Sequence, residues 1–437
     1  MSWATEVERH GRDVSRIQAD LQRLREGVAP LDVVRACTRG DGICTVDARH
    51  EALGLEVASQ AGAFVPASGA ATRLFQGWRA ALESGERLPS LAQVSRLAAW
   101  EGGGSVADGM EATMARWEGS PKGLIPFHAG GRTAVDEHVA EADALGLVRL
   151  HFTVGAEHVD AFLAATEGAA VEVSVSVQDP RTDTLCFTGG LEPLRDGDGQ
   201  LVFRPGGHGA LLGNLEAFGG RYVLIKNIDN VVAAPRRPEV VRWRRRLLGR
   251  AAELRAAVCS ALEQRDAQAA QEVLAESFGV VVPRDQALLR LDRPFRVAAM
   301  VLDEGQPGGG PFWVRGSDGL VTPQIVEGAQ LDMSRPSHRA ALQAATHFHP
   351  VDMVLCLEGP AGRWRADGWS DEQQSLIVHK RHLGHPVVAL ERPGLWNGGM
   401  AGFHTCFVEV PAATFQPVKR IDDLLRRAHQ GSATAPA

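Results

Sequence analysis

Short, uninterrupted runs of apolar residues, each bounded by polar residues, predict the strands of a sheet. The clearest run is Tyr222, Val223, Leu224 and Ile225, which lies between two charged residues. Runs of this length are typical of strands that other elements cover on both faces. The same pattern predicts further strands at 63–67, 147–154, 171–178, 295–302, 311–314 and 321–328.

Apolar residues at spacings of three, four and seven predict amphipathic helices between these strands. In the first 28 residues such positions are Val7, Val14, Ile17, Leu21 and Leu24. Helical patterns also cover 30–38, 46–60, 131–146, 161–168 and 237–275. Because helices and strands alternate along the chain, the pattern predicts an α/β fold built from βαβ units.

The distribution of these patterns predicts one large domain with additions. Residues 1–60 form an N-terminal helical segment, and residues 61–428 form the α/β domain. Helical insertions interrupt this domain at about 75–120 and 237–280. The polar, small-residue end at 429–437 is predicted to be a disordered tail.

Composition and charge exclude several classes of protein. The 437 residues are 44% apolar, which suits a large buried core, and the formal net charge is -7. Nucleic-acid-binding proteins normally carry a basic excess, so this class is not expected. No apolar run approaches the roughly 18 residues that a membrane span needs, and no apolar leader precedes the first helix. We therefore expect a cytoplasmic protein whose six scattered cysteines are reduced thiols.

Asp229 is the first candidate for a metal ligand. It follows the apolar run that ends at Ile225, and ligands of open α/β sheets bind beyond the carboxyl ends of strands. A carboxylate in that position can hold Mg²⁺ against phosphate oxygens. Taken alone, this pattern favours a residue that caps a strand-to-loop turn.

A loop of small residues follows the predicted strand at 63–67 and leads into a helix near Thr72. Small side chains allow backbone amides to approach a phosphate chain, and the helix N-terminus adds favourable positive potential. Small-residue turns also occur simply for packing, so this loop alone does not define a phosphate site.

Three other polar clusters favour ordinary structural roles. The DGDG sequence at 196–199 predicts a hairpin turn rather than a calcium loop, because the later ligands of such a loop are missing. The histidine-rich segments at 347–349 and 379–385 lack the Cys or Asp framework of a zinc site. The arginines between 242 and 250 are interpreted as a solvated helix face, with a polyanion or partner surface as the alternative.

Eight motifs in a fixed order resemble nucleotide-sugar pyrophosphorylases, and most closely the eukaryotic-type UTP:glucose-1-phosphate uridylyltransferase group. The motifs are SGAATRL (68–74), PKGLIPF (121–127), VQDPRTD (177–183), RPGGHGALL (204–212), KNIDNVV (226–232), QIVEGAQLD (324–332), GLWN (394–397) and TFQPVKRIDDLL (414–425). The chain also resembles a bacterial domain-of-unknown-function family that shares three of these motifs. The resemblance implies a Rossmann-like GT-A nucleotidyltransferase fold, in which helices flank a mixed sheet.

This resemblance implies that the protein joins a nucleoside triphosphate, with UTP favoured, to a sugar 1-phosphate or related phosphorylated small molecule. Pyrophosphate is released, and Mg²⁺ is the implied cofactor. The metal ligand would be Asp229. The loop of Gly69, Ala70, Ala71 and Thr72 would hold the triphosphate. The catalytic positive charges would come from Arg73, Lys122 and Lys419.

The resemblance also implies residues that recognise the base and the sugar. Gln178 and the backbone of Gly207 would contact the base, since an amide side chain offers both a donor and an acceptor. Four residues would bind the phosphorylated sugar: His208, Asn227, Glu327 and Asn397. An ordinary polar role for Gln178 and a structural acceptor role for Glu327 stay open at this point.

Two departures from the family pattern bear on activity. Ala70 and Ala71 replace paired glycines in the first loop, where a methyl group restricts the approach of the triphosphate. Pro393 and Gly394 replace two asparagines before Trp396, so sugar recognition is expected to differ. The alternative function is therefore a catalytically inactive regulatory protein that binds a nucleotide or a nucleotide sugar.

Overall fold

A computed structural model describes residues 3–69, 71–85, 88–305, 308–382 and 385–431. Within these ranges there are thirteen α-helices: α1 Trp3–Arg9, α2 Val14–Glu26, α3 Ala48–Val57, α4 Gln76–Ser84, α5 Leu91–Val94, α6 Val106–Trp117, α7 Ala134–Leu145, α8 Val159–Ala165, α9 Leu212–Phe218, α10 Arg237–Glu263, α11 Ala267–Phe278, α12 Arg284–Leu291 and α13 Pro336–Ala344.

The same ranges contain twenty-one strands: β1 Asp32–Ala36, β2 Thr38–Arg39, β3 Gly42–Cys44, β4 Ala61–Pro66, β5 Pro126–His128, β6 Arg132–Thr133, β7 Arg149–Val154, β8 Glu172–Val177, β9 Thr184–Leu185, β10 Phe203–Arg204, β11 Tyr222–Lys226, β12 Phe295–Leu302, β13 Gly310–Arg315, β14 Val321–Val326, β15 His347–Phe348, β16 Asp352–Cys356, β17 Glu358–Gly359, β18 Gly362–Arg363, β19 Leu376–His382, β20 His385–Glu391 and β21 His404–Glu409.

A mixed sheet forms the centre of the protein, which confirms the predicted α/β fold. Its strand order is β2-β3-β21-β12-β16-β11-β4-β7-β8, and β15 pairs with β12. The four strands β11, β4, β7 and β8 are parallel neighbours. Strand β16 runs antiparallel between β11 and β12. The predicted strands at 63–67, 147–154, 171–178, 222–225 and 295–302 all lie in this sheet.

Helices and loops cover both faces of the sheet, which explains why its strands are apolar throughout. On β11, Tyr222 and Leu224 face the larger core, which contains residues of α7 and α10. Val223 and Ile225 face the second core, which contains Leu215 of α9. Successive strand residues point to opposite faces, so a strand buried on both sides needs an uninterrupted apolar run.

The N-terminal segment differs from the prediction at 30–38, where the structure has strand β1 instead of a helix. Val33 and Ala36 of β1 are buried against the β13–β14 hairpin in a small separate core. Strands β2 and β3 follow, so residues 1–60 are not helical throughout. Pairing with a distant hairpin therefore makes this segment a strand. The periodicity of the local sequence contains no information about such pairing.

The predicted helix at 237–275 consists of two helices, α10 and α11, separated by a break whose Asp266 caps α11. The interpretation of its arginines as a solvated face was wrong for Arg244, which is buried and bonds Glu141 and Asp352. Arg246 bonds Glu51 of α3. Arg244 therefore links α10 to α7 and β16, and Arg246 links α10 to α3.

The C-terminal end is ordered beyond the predicted boundary at 428. His429 is buried, and its ring lies 3.0 Å from a ring nitrogen of His128. Residues 432–437 lie outside the described part of the chain. In the described ranges, we find no helix with both the length and the apolar character needed to cross a lipid bilayer.

Candidate functional site

The candidate site lies where the order of parallel strands reverses. From β4 the chain continues to β7 and then β8 on one side, and later returns to form β11 on the other side of β4. The loops after β4 and β11 therefore diverge at the same edge of the sheet. In open α/β sheets this reversal creates a crevice beyond the carboxyl ends of the strands, where ligands bind.

A cleft of about 690 Å³ opens at this position. Its wall contains residues from seven of the eight motifs, and the lining residues are Pro66, Ser68, Gly69, Arg73, Leu74, Lys122, Gln178, Arg204, Pro205, Gly207, His208, Leu211, Asn227, Ile228, Asp229, Glu391, Trp396 and Lys419. A cleft of this size accommodates a nucleotide with an attached small molecule. The structure therefore brings most of the predicted site residues together.

Asp229 is the centre of the charged part of the cleft. The Nζ atom of Lys122 donates to Asp229 Oδ2 at 2.7 Å, and Lys419 Nζ donates to the same oxygen at 3.1 Å. The side chains of Asp229 and Lys122 are 10% and 14% exposed, whereas that of Lys419 is 57% exposed. Lys122 is therefore fixed in the wall, and Lys419 can reach into the cleft.

The pKa values in this cluster follow from burial and from the two ion pairs. Burial raises the pKa of Asp229, but the two neighbouring ammonium groups outweigh it and hold the pKa below its ordinary value. Burial lowers the pKa of Lys122, and Asp229 opposes this effect only in part. The positive charges of Lys419 and Arg73 lower the pKa of Lys122 further. Four charged groups therefore interact electrostatically in the cleft, and three of them are cationic.

Backbone contacts hold these side chains in place. The carbonyl of Asp229 accepts from the Val418 amide at 3.0 Å, so the turn after β11 is joined directly to the segment of Lys419. The amide of Lys122 donates to the carbonyl of Gly69 at 3.4 Å, which joins the loop after β4 to the same group. The Nε2 atom of His138, in α7, lies 3.2 Å from the carbonyl oxygen of Ile228. The three charged motifs are therefore assembled by main-chain contacts.

Asp229 also offers an unpaired carboxylate oxygen to a metal ion. Its Oδ1 atom is buried and has no hydrogen-bond partner among the described residues, while Oδ2 is occupied by the two lysines. A single carboxylate fits Mg²⁺, because this ion usually keeps water and phosphate oxygens as its other ligands. Within the described ranges, no three His, Cys, Asp or Glu side chains are grouped as ligands of one metal ion.

Histidines of the two histidine-rich segments have structural contacts. His347 is buried with its Nε2 atom 3.4 Å from a carboxylate oxygen of Glu409. His349 Nδ1 lies 3.1 Å from the carbonyl of Ala299. Residues 379–385 belong to the β19–β20 hairpin, apart from 383 and 384, which lie outside the described part.

His208 forms another part of the cleft wall. Its ring stacks on that of Trp396, with 3.9 Å between centroids and 13° between planes. The Leu395 amide donates to His208 Nδ1 at 2.9 Å, so the remaining proton of the neutral ring is on Nε2. Burial lowers the pKa of His208 to about 4, and the ring is therefore a neutral donor at pH 7. Glu327 lies beside it, 3.8 Å from Nε2.

Close packing of the loop at 204–209 against the segment of Arg392 and Pro393 explains why position 209 is a glycine. The amide of Arg392 donates to the Gly206 carbonyl at 2.9 Å. A Cβ atom on Gly209 would lie 2.0 Å from the carbonyl oxygen of Pro393, and Gly207 has a φ of 79° that favours glycine. The two loops therefore form one wall, with the Gly207 backbone at its surface.

Gln178 lines the cleft at the end of β8. Its amide nitrogen donates to Thr182 Oγ1 at 3.2 Å and to Asp183 Oδ1 at 3.3 Å. Because the amide nitrogen is held by these two partners, the carbonyl oxygen is the atom that can meet a ligand. Asn227, at the end of β11, also lines the cleft.

The remaining predicted residues occupy different environments. Gly69 and Arg73 line the cleft, while Ala71 is buried in the larger core and is not among the lining residues. Ala70 and the side chain of Thr72 lie outside the described part of the chain. Asn397 is not in the cleft wall: it is buried, and its amide nitrogen donates to Gln330 Oε1 at 3.2 Å. Its predicted role in substrate binding stays a prediction.

Four polar or aromatic residues of the cleft were missed as sites in the sequence: Ser68, Arg204, Glu391 and Trp396. Three of them, Ser68, Arg204 and Trp396, lie inside quoted motifs, so the motifs themselves contained a signal. Glu391 ends strand β20, and its place in the cleft follows only from the packing of the loop after it.

The strand order and the position of the cleft define the class: this is the nucleotidyltransferase fold of UDP-glucose pyrophosphorylases. A point variant of the Leishmania major enzyme, solved in complex with UDP-glucose, matches with a TM-score of 0.51 and 14% identity, over 98% of this chain and 79% of that chain. The open and closed structures of the same enzyme match with a TM-score of 0.50 and 14% identity, over 97% of this chain and 78% of that chain. At this identity the likeness establishes the fold.

The chain belongs to a family known as domain of unknown function DUF4301. The sequence profile of this family matches residues 2–95 and 106–430. Among proteins with curated descriptions, none matches this chain. The resemblance predicted from the motifs, both to the pyrophosphorylases and to a domain-of-unknown-function family, is confirmed.

Proposed function

We propose that this protein is a nucleotidyltransferase that joins a nucleoside triphosphate, with UTP favoured, to a sugar 1-phosphate or related phosphorylated small molecule. The observation that carries the proposal is the contact of Lys122 and Lys419 with the single carboxylate Asp229. These three side chains come from distant parts of the chain and meet in a cleft large enough for both substrates. The complex of the Leishmania major enzyme with UDP-glucose supports a nucleotide sugar as the product.

The proposed reaction is a displacement at the α-phosphorus of the triphosphate. A phosphate oxygen of the sugar phosphate attacks this phosphorus, the bond to the bridging oxygen breaks, and pyrophosphate leaves with the bonding electrons. The attacking oxygen is already ionised, so no general base is needed. Catalysis then depends on alignment of the two substrates and on neutralisation of charge.

The cationic residues supply that neutralisation in different ways. Lys122 is held in the wall and offers a fixed positive charge, whereas Lys419 is exposed enough to follow the departing pyrophosphate. Arg73 lines the same cleft and adds a third positive charge. The neutral Nε2–H of His208 donates to the sugar phosphate without adding charge.

Asp229 is the residue that would hold Mg²⁺, through an oxygen that the protein leaves unpaired. Bound Mg²⁺ supplies positive charge to the phosphate oxygens of the nucleotide. Asp229 has a second function, since it keeps two ammonium groups within 3.1 Å of one point and so orients them before substrate binds.

Recognition of uracil rests on Gln178 and Gly207. The carbonyl oxygen of Gln178 is available because its amide nitrogen bonds Thr182 and Asp183. A carbonyl acceptor pairs with the single ring N–H of uracil, and the backbone of Gly207 supplies a complementary group. The base would therefore lie between the end of β8 and the RPGGHG loop.

The test is a direct measurement of pyrophosphate release. Purified protein is mixed with Mg²⁺, each of the four common triphosphates and a panel of sugar 1-phosphates. We expect release with at least one pair, and a loss of about 100-fold or more in Asp229→Ala and Lys419→Met. Arg25→Met removes one exposed positive charge from helix α2, outside the cleft, and should keep full activity.

A binding measurement separates the alternative. Nucleotide binding by calorimetry without any release would favour a regulatory protein that binds nucleotides or nucleotide sugars. One argument for that alternative is that the methyl groups of Ala70 and Ala71 restrict the approach of the triphosphate. Because Ala71 is buried in the larger core, its methyl group does not support this argument. Absence of both binding and release, with every substrate pair, would overturn the proposal.

A further inference from the structure

A second cleft, of about 560 Å³, lies beside strands β3 and β21. Among the described residues it shares no lining residue with the cleft at Asp229. Two cysteines, Cys44 at the end of β3 and Cys406 in β21, line it together with Arg250 of α10. Neither cysteine belongs to the eight motifs, so this cleft is independent of the proposed transferase function.

The two sulfur atoms are in direct contact. Cys44 Sγ and Cys406 Sγ are 3.7 Å apart, although the residues are 362 positions apart in the chain. The strands that carry them are parallel neighbours, with Val408 paired to Cys44. Cys44 is partly exposed to the cleft, whereas Cys406 is 3% exposed. The contact is that of two thiols that share a hydrogen bond.

Arg250 makes this pair chemically different from the other cysteines. Its guanidinium bonds Glu253 and lines the same cleft as the two sulfurs, where its positive charge acts on Cys406. The Cys44 thiol and Arg250 hold the pKa of Cys406 below its ordinary value, to about 7, while the same contact and burial raise the pKa of Cys44. When the pair ionises, the negative charge therefore lies on Cys406, and Cys44 keeps its proton.

The other four cysteines lack this environment. Burial raises the pKa of each of them, so they stay protonated thiols: Cys37, Cys186, Cys259 and Cys356. A thiolate beside an arginine, with a second thiol in contact and a cleft for access, is the arrangement that reactive cysteines need. The chain contains this arrangement at one place in its described part.

We propose that Cys44 and Cys406 form a redox-active dithiol that hydroperoxides oxidise to an intramolecular disulfide. The cleft gives the peroxide access, the positive charge of Arg250 stabilises the thiolate, and the second sulfur lies 3.7 Å from the first. The sites of reaction are therefore the two sulfur atoms, and the chemical class of the ligand is a small hydroperoxide.

The chemistry proceeds in two balanced steps. The thiolate attacks one peroxide oxygen, the O–O bond breaks, and the products are a sulfenic acid and hydroxide or an alkoxide. The second thiol then attacks the sulfenic sulfur, loses its proton and expels the hydroxyl group as water. Two thiols are oxidised by two electrons, and the peroxide is reduced by the same two electrons.

Formation of the bond would shorten the sulfur separation from 3.7 Å to roughly 2.05 Å and tie β3 covalently to β21. The cross-link would join parts of the chain that are 362 positions apart. Because a bond across such a long loop constrains the unfolded chain, the oxidised protein should melt at a higher temperature than the reduced protein.

The experiment treats the full-length reduced protein with hydrogen peroxide and maps the peptides without reduction. We expect a peptide that links Cys44 to Cys406, formed before any other cysteine is modified, and its loss on addition of dithiothreitol. Cys186→Ser also removes one thiol, but elsewhere in the protein, and should form the same linked peptide at the wild-type rate. Cys44→Ser and Cys406→Ser should form no such link.

A further variant tests the role of Arg250. Arg250→Met should slow disulfide formation at pH 7 by about three- to tenfold, because the thiolate fraction falls while the intrinsic reactivity of the thiolate rises. The other charged groups near the sulfurs are Arg39, Asp41, Glu253 and Glu276, and they are unchanged in this variant. Modification of Cys44 alone, a link to any other cysteine, or oxidation of all six at similar rates in the wild-type protein would overturn the proposal.

Discussion

At the scale of single residues, Asp229 shows how a buried carboxylate is kept ionised. Burial alone would favour its protonated form, and the two lysine ammonium groups reverse that preference. The motifs KNIDNVV, PKGLIPF and PVK predicted all three residues, because each motif resembles a family sequence with a defined role. Their mutual distances of 2.7 and 3.1 Å could not be predicted from any one motif.

Glu137 gives a prediction about acid stability. Burial raises its pKa, but bonds from His128, Arg132 and Arg237 outweigh this effect and lower the pKa to about 2. Since the folded pKa lies below the unfolded one, Glu137 stabilises the fold above about pH 4.5, and this stability is lost as the pH falls toward 2. The free energy of unfolding should decrease across this window by about 2 to 3 kcal/mol more in the wild-type protein than in Glu137→Gln.

Urea unfolding at several pH values between 7 and 2.5 measures this difference. Glu56→Gln, which replaces an exposed carboxylate on α3, serves as the control and should follow the wild-type curve. If Glu137→Gln and the wild-type protein lose stability in parallel, then Glu137 is not the group responsible.

At the scale of elements, local patterns predicted the central strands and failed at β1. The strands at 222–225 and 295–302 are covered on both faces. Such strands need an uninterrupted run of apolar residues, and this run is visible in the local sequence. In β1, only Val33 and Ala36 are buried, three positions apart, and this spacing also fits one face of a helix. The hairpin that pairs with β1 lies almost 280 positions further along the chain, so no local window contains it.

The contact between α3 and α10 gives a prediction at this scale. The two helices approach each other so closely that a Cβ atom on Gly249 would lie 1.8 Å from the His50 carbonyl oxygen, and Gly54 faces Arg245 in the same way. Gly249→Ala should therefore destabilise the protein by about 3 kcal/mol, despite the better helix propensity of alanine.

Gly77→Ala is the matched control, because Gly77 also lies in a helix but a Cβ atom added there would meet no other atom within 4 Å. This variant should be neutral or more stable by about 0.5 to 1 kcal/mol. Chemical denaturation of both variants measures the difference. Equal effects of the two substitutions would show that the helices can separate without cost.

At the scale of the whole molecule, the N-terminal helices support the wall of the cleft. Asp20 of α2 accepts two bonds from the guanidinium of Arg392, at 2.9 and 2.8 Å, and both side chains are buried. The amide of Arg392 in turn bonds Gly206 of the RPGGHG loop. A helix near the start of the chain therefore holds a loop 372 positions away at the edge of the candidate site.

Asp20→Asn should lower the free energy of unfolding by about 3 to 5 kcal/mol, because it leaves the Arg392 guanidinium buried without a counter-charge. Nucleotide affinity should fall as well, since the Gly207 backbone moves with the loop. Asp13→Asn on the same helix keeps a good N-cap and should change stability by less than about 0.5 kcal/mol. Urea denaturation and calorimetric titration with UTP measure both effects, and identical behaviour of the two variants would contradict this role for α2.

The sequence by itself determined the class of fold, most strands of the central sheet and the identity of most cleft residues. Periodicity, the apolar runs of strands buried on two faces, and short motifs are local properties. They can therefore be recognised in the amino-acid sequence itself. The tertiary structure alone decided that Asn397 is buried against Gln330, that Glu391 lines the cleft, and that Cys44 touches Cys406. Each of these depends on a distance between residues far apart in the chain, which is set by the order of the strands and the packing of the loops that connect them.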